Sequence, residues 1–533
     1  MVTVRDATLD LFRAHGLTTW FGNPGSSELT LLEDFPTEMR YILGLQEMVP
    51  VGMADAFAQI TGRPALVNLH TAPGMGNAQG ALYNAYLNKA PLIVTAGNQR
   101  RVMQNQNNLL TNIEATTVPK PFVKWAAEPA IASEVPAVLA HAIHVAQTPP
   151  TGPVFVSLPM DDMTVTLTSD QLADITRVQD RKVVHARAFP DDPARDLAAR
   201  INAARSPALV VGAEVERSGA WAAVIELAER LKASVWSAPL TGLPGFPENH
   251  PQYRGALLPG RGWVSQTLAG HDLILAIGTP VFRYYPLVPG PYLPDNAELI
   301  HLTNDPDEAA RAPIGDAFVT DVRAAVEAVL PYIGVAGRPA PPPRPQPAAS
   351  TSAAAPLTPE VLWSTVGRAA PADALWISEA GSNEPAIDAN IRSGLPFSHL
   401  TAAGGGLGFG LPAAVGAQLA APDRPVIALM GDGSIQYAIT ALWTAVQYRI
   451  PVTVVVASNA EYGVLEQFGL LENTAGVPGL DLPALDIVGT AASYGLDAYR
   501  AADADELGDL VAKATTDHNR PTLIDVRTTP VTD

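Results

Sequence analysis

The chain has 533 residues, more than one hydrophobic core serves, so roughly two to four domains are expected. Its 47% hydrophobic and 16% charged residues describe a compact globular protein, and a net charge of −19 excludes the basic surface that nucleic-acid binding requires. With no cysteine, disulfides, thiolate metal sites and cysteine nucleophiles are excluded together, and a reducing, cytoplasmic setting fits.

The first residues, MVTVRDATLDLFRAHG, carry acidic side chains early and lack the uninterrupted apolar core of a secretory signal. No stretch approaches the ~18 apolar residues needed to cross a bilayer, so no membrane partner is expected. From there, short apolar runs alternate with helical stretches. TTWFG, YILGL, ALVNL and LIVTAG come first; ALVVG, SVWSA and LILAIG follow; VIALM, VTVVVAS and TLIDV come last. Runs apolar on both faces belong to parallel sheets sandwiched between helices. The fold class expected is α/β, with three doubly wound parallel-sheet domains at 1–180, 181–336 and 357–533. Ligands of such sheets bind beyond the carboxyl ends of the strands, so functional residues are sought directly after these runs.

Three candidates follow strands of the first segment. Ser26 lies in FGNPGSSEL, Glu47 ends YILGLQE and His70 ends ALVNLH. A hydroxyl, an acid and an imidazole converging on one sheet edge are what an active site requires. Imidazole is the side chain best suited to moving protons near neutral pH. Each residue also has a bland alternative: Ser26 as the cap of a helix starting SSELTLL, Glu47 as the complement of the next helix's positive end, His70 as a satisfied core histidine.

Between 165 and 190 the stretch TLTSDQLADITRVQDRKVV loses its apolar runs, marking a soft boundary. The middle segment invites a competing reading as a dinucleotide-binding oxidoreductase. No GxGxxG opens it after a strand, and its first strand-end motif is VVGAEVERSG. Residues 337–356, GRPAPPPRPQPAASTSAAAP, form a proline-rich linker expected to be extended and exposed. Thr358 and Pro359 then cap and start a helix.

After VIALM comes Gly431-Asp432-Gly433-Ser434, then one helix with Ile435, Ala438, Ile439, Leu442 and Val446 at helical spacing, then VTVVVAS with Asn459 at its end. One helix plus one returning strand brings Asp432 and Asn459 to neighbouring strand ends. Mg²⁺ prefers oxygen donors and takes few of them from protein. Asp432, Asn459 and the main-chain carbonyl near Glu461 could supply three, with a diphosphate completing the set. Gly431 and Gly433 let the backbone approach a ligand closely. Ser434, Tyr462 and Gly463 complete the candidate cofactor-binding positions. Taken alone, GDG also reads as a strand-to-helix turn with Asp432 as cap.

This pattern resembles the thiamine-diphosphate fingerprint, with Ser458 where the usual pattern has the first of two asparagines. FGNPGS, LQE, NLHTAPGMGNAQGALYNA, LLTN, GTPVFRY and GGLGFGLPAA stand in the order seen in the benzoylformate decarboxylases, and the resemblance covers essentially the whole chain. It implies thiamine diphosphate and Mg²⁺ as cofactors, with Asp432, Asn459 and a carbonyl at Glu461 as metal ligands. It further implies that Glu47 bonds the cofactor's pyrimidine, Ser26 orients the substrate carboxylate, His70 transfers protons, and Leu407 wedges the cofactor into a bent shape. Leu109, Leu110, Val464, Leu465 and Phe468 correspond to the substrate pocket. All are apolar, as an aryl or branched alkyl group needs; core packing is the alternative for the leucines. Tyr285 stands where the family has a second active-site histidine, and a phenol with an unperturbed pKa of about 10 shuttles protons poorly at neutral pH. The expected reaction is non-oxidative decarboxylation of an aromatic 2-oxo acid to an aldehyde and CO₂. Thiamine-dependent carboligation or lysis of hydroxyketones is the alternative. The resemblance also implies a homotetramer with active sites at subunit interfaces.

Overall fold

The computed structural model describes residues 1–345 and 354–530 as three six-stranded parallel sheets with helices on their faces. The first holds β1 (Thr19–Gly22), β2 (Arg40–Leu43), β3 (Ala65–Leu69), β4 (Leu92–Asn98), β5 (Trp125–Ala127) and β6 (Val154–Pro159), in the order β2-β1-β3-β4-β6-β5. The second holds β7 (Pro207–Val211), β8 (Ser234–Ser237), β9 (Tyr253–Ala256), β10 (Leu273–Ile277), β11 (Glu298–Thr303) and β12 (Asp316–Val319), in the order β12-β11-β10-β7-β8-β9. The third holds β13 (Leu375–Glu379), β14 (His399–Thr401), β15 (Val426–Gly431), β16 (Thr453–Ser458), β17 (Asp497–Ala501) and β18 (Thr522–Arg527), in the order β14-β13-β15-β16-β18-β17. Each neighbouring pair runs parallel. Counted from its own first strand, the third sheet repeats the first, whereas the middle sheet has the order of dinucleotide folds.

Among the apolar runs that announce strands, β3, β4, β7 and β10 are buried throughout, while the edge strand β2 is only partly buried. The strands that periodicity does not announce include the short β5 and the polar edge strand β12. Among the described residues no helix is long and apolar enough to cross a membrane.

Two helices lock the outer sheets together. Met48–Thr61 follows the end of β2, Gly410–Ala420 follows the end of β14, and both are apolar nearly all round, as fully buried helices are. They cross so closely that a Cβ on Gly416 would lie 1.9 Å from the carbonyl oxygen of Met53, so only glycine fits there. One hydrophobic core runs through this contact from Phe21 and Val67 to Ile377 and Val456.

Two expectations are corrected. The single helix after GDGS is two, Asp432–Gln436 and Ala441–Gln447. The N–H groups of Tyr437, Ala441 and Leu442 bond three residues back, a tighter winding that turns the chain while Ile435, Ala438 and Leu442 stay buried. In the proline-rich linker, residues 346–353 lie outside the described residues and 337–345 form neither helix nor strand. That first part is pinned rather than simply exposed, because Arg344 donates to the Asp388 carboxylate at 2.9 Å and covers the Tyr253 ring at 5.4 Å. Beyond it, Thr358 caps the helix Pro359–Ala369 by accepting from the Val361 N–H, a bond whose loss typically costs about 1 kcal/mol.

Candidate active site

The ends of β2, β1 and β3 lie side by side and deliver three loops to one edge. Asn23, after β1, ties this edge together by donating to the Gly44 carbonyl at 2.9 Å. Gly25 passes directly under the His70 imidazole, where a Cβ would lie 2.1 Å from Nδ1. His70 Nδ1 is 2.9 Å from Glu28 Oε2 and 3.1 Å from Ser27 Oγ. Glu28 is only 1% exposed, and its carboxylate also accepts from the N–H groups of Gly25 (2.8 Å) and Gly97 (2.7 Å) and from Ser27 Oγ (2.9 Å). A carboxylate so held places the imidazole proton on Nδ1 and leaves Nε2 for other chemistry. The Glu28 hydrogen bond holds the His70 pKa above the ordinary imidazole value; burial opposes it, and the charges of Glu28 and Glu47 reinforce it.

Glu47 precedes the helix Met48–Thr61 but makes no capping bond. Its Oε2 instead accepts from Asn77 Nδ2 at 2.9 Å. A Cβ on Gly74 would lie 3.3 Å from Glu47 Oε1 and 3.5 Å from His70 Cβ, so this glycine separates acid from imidazole. Thr71, fully buried, has φ of 37°, a strained backbone for a β-branched residue right after His70. Ser26 is exposed beside this group, and the cap position of the helix Leu29–Leu32 falls on Glu28 instead. The capping alternative for Ser26 therefore lapses, whereas Glu47 does stand at the positive end of its helix. His70 is partly open and its Nδ1 is spent on Glu28.

The second group forms on the third sheet. Gly431 pairs with Ala457 across β15 and β16, so Asp432 and Asn459 leave adjacent strand ends. Asp432 is buried; its Oδ1 accepts from the Gly433 N–H (2.8 Å) and its Oδ2 from the Ala460 N–H (2.7 Å). Burial pushes its carboxyl pKa up, and those two bonds pull against it. Asn459 Oδ1 accepts from the Glu461 N–H at 3.3 Å, across Ala460 at φ of 61°. The Tyr462 ring covers Gly433, where a Cβ would meet it at 2.5 Å, and Gly463 opens the helix Gly463–Leu471. Ser458 keeps a supporting bond: its hydroxyl donates to Asp525, whose other oxygen takes Arg500 Nε at 2.8 Å. Ser434 Oγ donates to the Glu379 carbonyl at 2.6 Å and accepts from the Gly431 N–H at 3.0 Å. Among the described residues no group of three or more His, Cys, Asp and Glu side chains could hold a metal ion alone. A cation here would draw on one carboxylate, an amide oxygen, a carbonyl and oxygens of its ligand, a donor set that fits Mg²⁺ with a diphosphate.

Val464, Leu465 and Phe468 lie on the helix Gly463–Leu471, and Phe468 meets the Tyr285 ring edge-on at 5.0 Å. Tyr285 is 62% exposed and Leu109 83%, while Leu110 has φ of 65°. Core packing is thus excluded for Leu109. Three residues of these groups carry no signal in spacing: Glu28, 42 positions from its partner His70; Asn77; and Glu379. Only Glu28, an acid two residues past Ser26 in the same loop, could have been suspected.

The middle sheet offers no comparable edge. A helix of only five residues, Ala213–Arg217, follows β7. The buried carboxylate of Glu214 fills the turn, accepting from Thr303 Oγ1 (2.9 Å) and the Asn304 N–H (2.5 Å). A carboxyl group already occupies an N–H donor that a dinucleotide's diphosphate would need.

Family models agree with this division. The N-terminal TPP binding domain of thiamine pyrophosphate enzymes matches residues 2–117, their central domain residues 194–329, and their C-terminal TPP binding domain residues 380–526. The benzoylformate decarboxylase of Pseudomonas aeruginosa is 45% identical over 528 residues, covering 99% of each chain. Among solved structures, the thiamine diphosphate-dependent 4-hydroxybenzoylformate decarboxylase of Rhodococcus jostii RHA1 has a TM-score of 0.96 at 44% identity, covering 99% of both chains. The benzoylformate decarboxylase of Polynucleobacter necessarius has a TM-score of 0.95 at 40% identity, again covering 99% of both. The chain belongs to the thiamine pyrophosphate enzymes and is a thiamine-diphosphate-dependent member of the benzoylformate decarboxylase kind.

Proposed function

We propose that this enzyme decarboxylates an aromatic 2-oxo acid without oxidation, releasing an aldehyde and CO₂, with Mg²⁺ anchoring its cofactor. Full-length likeness to benzoylformate decarboxylases supports the reaction class. Bound thiamine diphosphate supplies the reacting carbon and the electron sink. Asp432, Asn459 and the Glu461 carbonyl would hold the metal, and Gly431, Gly433, Ser434, Tyr462 and Gly463 would pack around the diphosphate. Glu47, oriented by Asn77, holds a proton at the pyrimidine, and Ser26 offers its exposed hydroxyl to the substrate carboxylate. Leu109, Leu110, Val464, Leu465 and Phe468 exclude water from the aryl group, with Tyr285 at the rim.

One observation carries the reading. His70 has Nδ1 committed to the buried Glu28, so Nε2 is its single free ring nitrogen for moving a proton to or from substrate, one glycine away from Glu47. The exposed apolar side chains at these sites, Leu109 above all, support subunits that cover each other's sites; a homotetramer acting in the cytoplasm belongs to the proposal on the family resemblance alone. Domain limits near 180 and within 337–356 belong to the same proposal. With thiamine diphosphate and Mg²⁺ added, phenylglyoxylate should yield benzaldehyde and CO₂ in equal amounts. No benzaldehyde from any aryl 2-oxo acid would sink the assignment.

The substitution at Tyr285, a phenol where the family has a histidine, is the sole motive for a second activity, carboligation, since a phenol shuttles protons poorly near neutral pH. If Tyr285→His leaves the ratio of aldehyde to hydroxyketone unchanged, that activity is not set by Tyr285.

A further inference from the structure

Glu379 ends β13 and is 7% exposed. Its carboxylate turns onto the segment that follows β14. Oε1 accepts from the N–H groups of Gly408 (2.5 Å) and Phe409 (3.3 Å), and Oε2 from that of Gly410 (2.7 Å). Leu407 stands immediately before these three residues. The backbone is shaped for the contact: Gly408 has φ of +93°, and a Cβ on Gly410 would lie 2.7 Å from the Cβ of Glu379. Through its main chain the same residue holds the other cofactor-binding segment, since its carbonyl takes the Ser434 hydroxyl, which in turn takes the Gly431 N–H. Because β13 lies between β14 and β15, the two segments emerge on either side of it.

Helix capping alone does not account for this acid. Burial raises its pKa to about 7 against the pull of three N–H bonds, and a neutral serine or asparagine would cap the helix without that cost.

We infer that Glu379 is a positioning residue that fixes the Leu407 segment against the Gly431–Ser434 turn, and so sets the shape in which the cofactor is held. This rests on the proposed function and on the role of wedge under the cofactor that the family resemblance implies for Leu407. A glutamine would turn its amide nitrogen toward a backbone N–H, donor against donor, and release one side of the segment.

The test compares Glu379→Gln, Glu379→Asp and Leu407→Ala with the parent. The measurements are thiamine diphosphate affinity with Mg²⁺ by tryptophan quenching, hydrogen–deuterium exchange at the reacting carbon of the bound cofactor, kcat and KM for phenylglyoxylate at saturating cofactor, and apoprotein Tm. In Glu379→Gln, exchange and kcat should fall together by about a hundredfold, the loss expected when a reacting group is misplaced by an ångström, and cofactor affinity should weaken. KM should stay within about twofold, and Glu379→Asp, which keeps the charged acceptor, should recover part of the loss. A lowered Tm with exchange and kcat at parent values well below it overturns the inference, as does failure of both Glu379 variants to fold while Leu407→Ala folds. Leu407→Ala with unchanged exchange defeats the wedge role instead, and the Glu379→Gln exchange rate then judges Glu379 separately.

Discussion

The first and third sheets have the same strand order, and each places a buried glutamate at or after the end of its first strand, Glu28 in the loop after β1 and Glu379 as the last residue of β13. Both carboxylates gather backbone N–H groups from glycines. They differ in what else they hold. Glu28 spends one oxygen on an imidazole, and the edge gains a titratable group whose pKa is held above the ordinary imidazole value. Glu379 spends all its bonds on backbone, and the edge gains a rigid cradle. On the proposed roles, one scaffold would serve proton transfer at one end of the chain and cofactor positioning at the other, according to the partner given to one acid.

The sharpest way to break the first edge is Glu47→Gln. The amide keeps the shape and can still accept from Asn77, so the cofactor should bind while turnover falls by roughly 10²–10⁴, the span general acid–base groups contribute. Steady-state kinetics with a parallel cofactor titration decide it; near-normal turnover removes Glu47 from its role.

Breaking the third edge should look different. Asp432→Ala, or chelation of Mg²⁺ from the parent, should abolish the thermal stabilisation that cofactor plus metal confers, worth about 2.7 kcal/mol at a hundred times Kd. Melting with and without cofactor and metal reads this directly. Full stabilisation in Asp432→Ala would move the metal elsewhere.

Much of this was legible in advance because the strands before the candidate residues announce themselves as apolar runs, buried on both faces in β3, β15 and β16 and only partly so in the edge strand β2. Glu47, His70, Asp432 and Asn459 each follow such a run. What stayed hidden has no local signature. The Glu28–His70 pair spans two loops, and the Glu379 carboxylate meets a segment 29 to 31 residues away. The broken helix after GDGS escaped because Ile435, Ala438 and Leu442 are buried whether the turns are continuous or tightened. The middle segment's likeness to a dinucleotide fold was legible too, but not its full strand order, since the edge strand β12 is polar and exposed and lacks an apolar run.

Glu28→Gln tests whether the imidazole partner sets the character of the first edge. Glu28 is the largest cause of the raised His70 pKa, so the folded value lies above the free value of 6.5. Stability from this pair is therefore present below that free value and is lost as pH rises through the folded one. With a neutral glutamine, the alkaline limb of the kcat/KM profile and the His70 proton resonances should both move to lower pH. An unmoved limb would assign that limb to another group.

The smallest effect is expected where the edge has been filled rather than equipped. Burial raises the Glu214 pKa from 4.5 to about 7, with hydrogen bonds from Asn304 and Thr303 and the charge of Arg217 pulling against it. The folded chain therefore binds a proton that the unfolded chain has released, and this contribution to stability is present below 4.5 and lost as pH rises through about 7. In Glu214→Gln the amide oxygen can take the Asn304 N–H, and the amide nitrogen can donate to the Thr303 hydroxyl, without any charge to bury. Melting curves of variant and parent should coincide at about pH 5, with the variant higher by roughly 2–4 °C at about pH 8, the shift that about 1 kcal/mol gives a domain of this size. A variant that melts lower at the alkaline end would show that pairing with Arg217 outweighs burial, making the filled crevice an ion pair rather than a protonated plug.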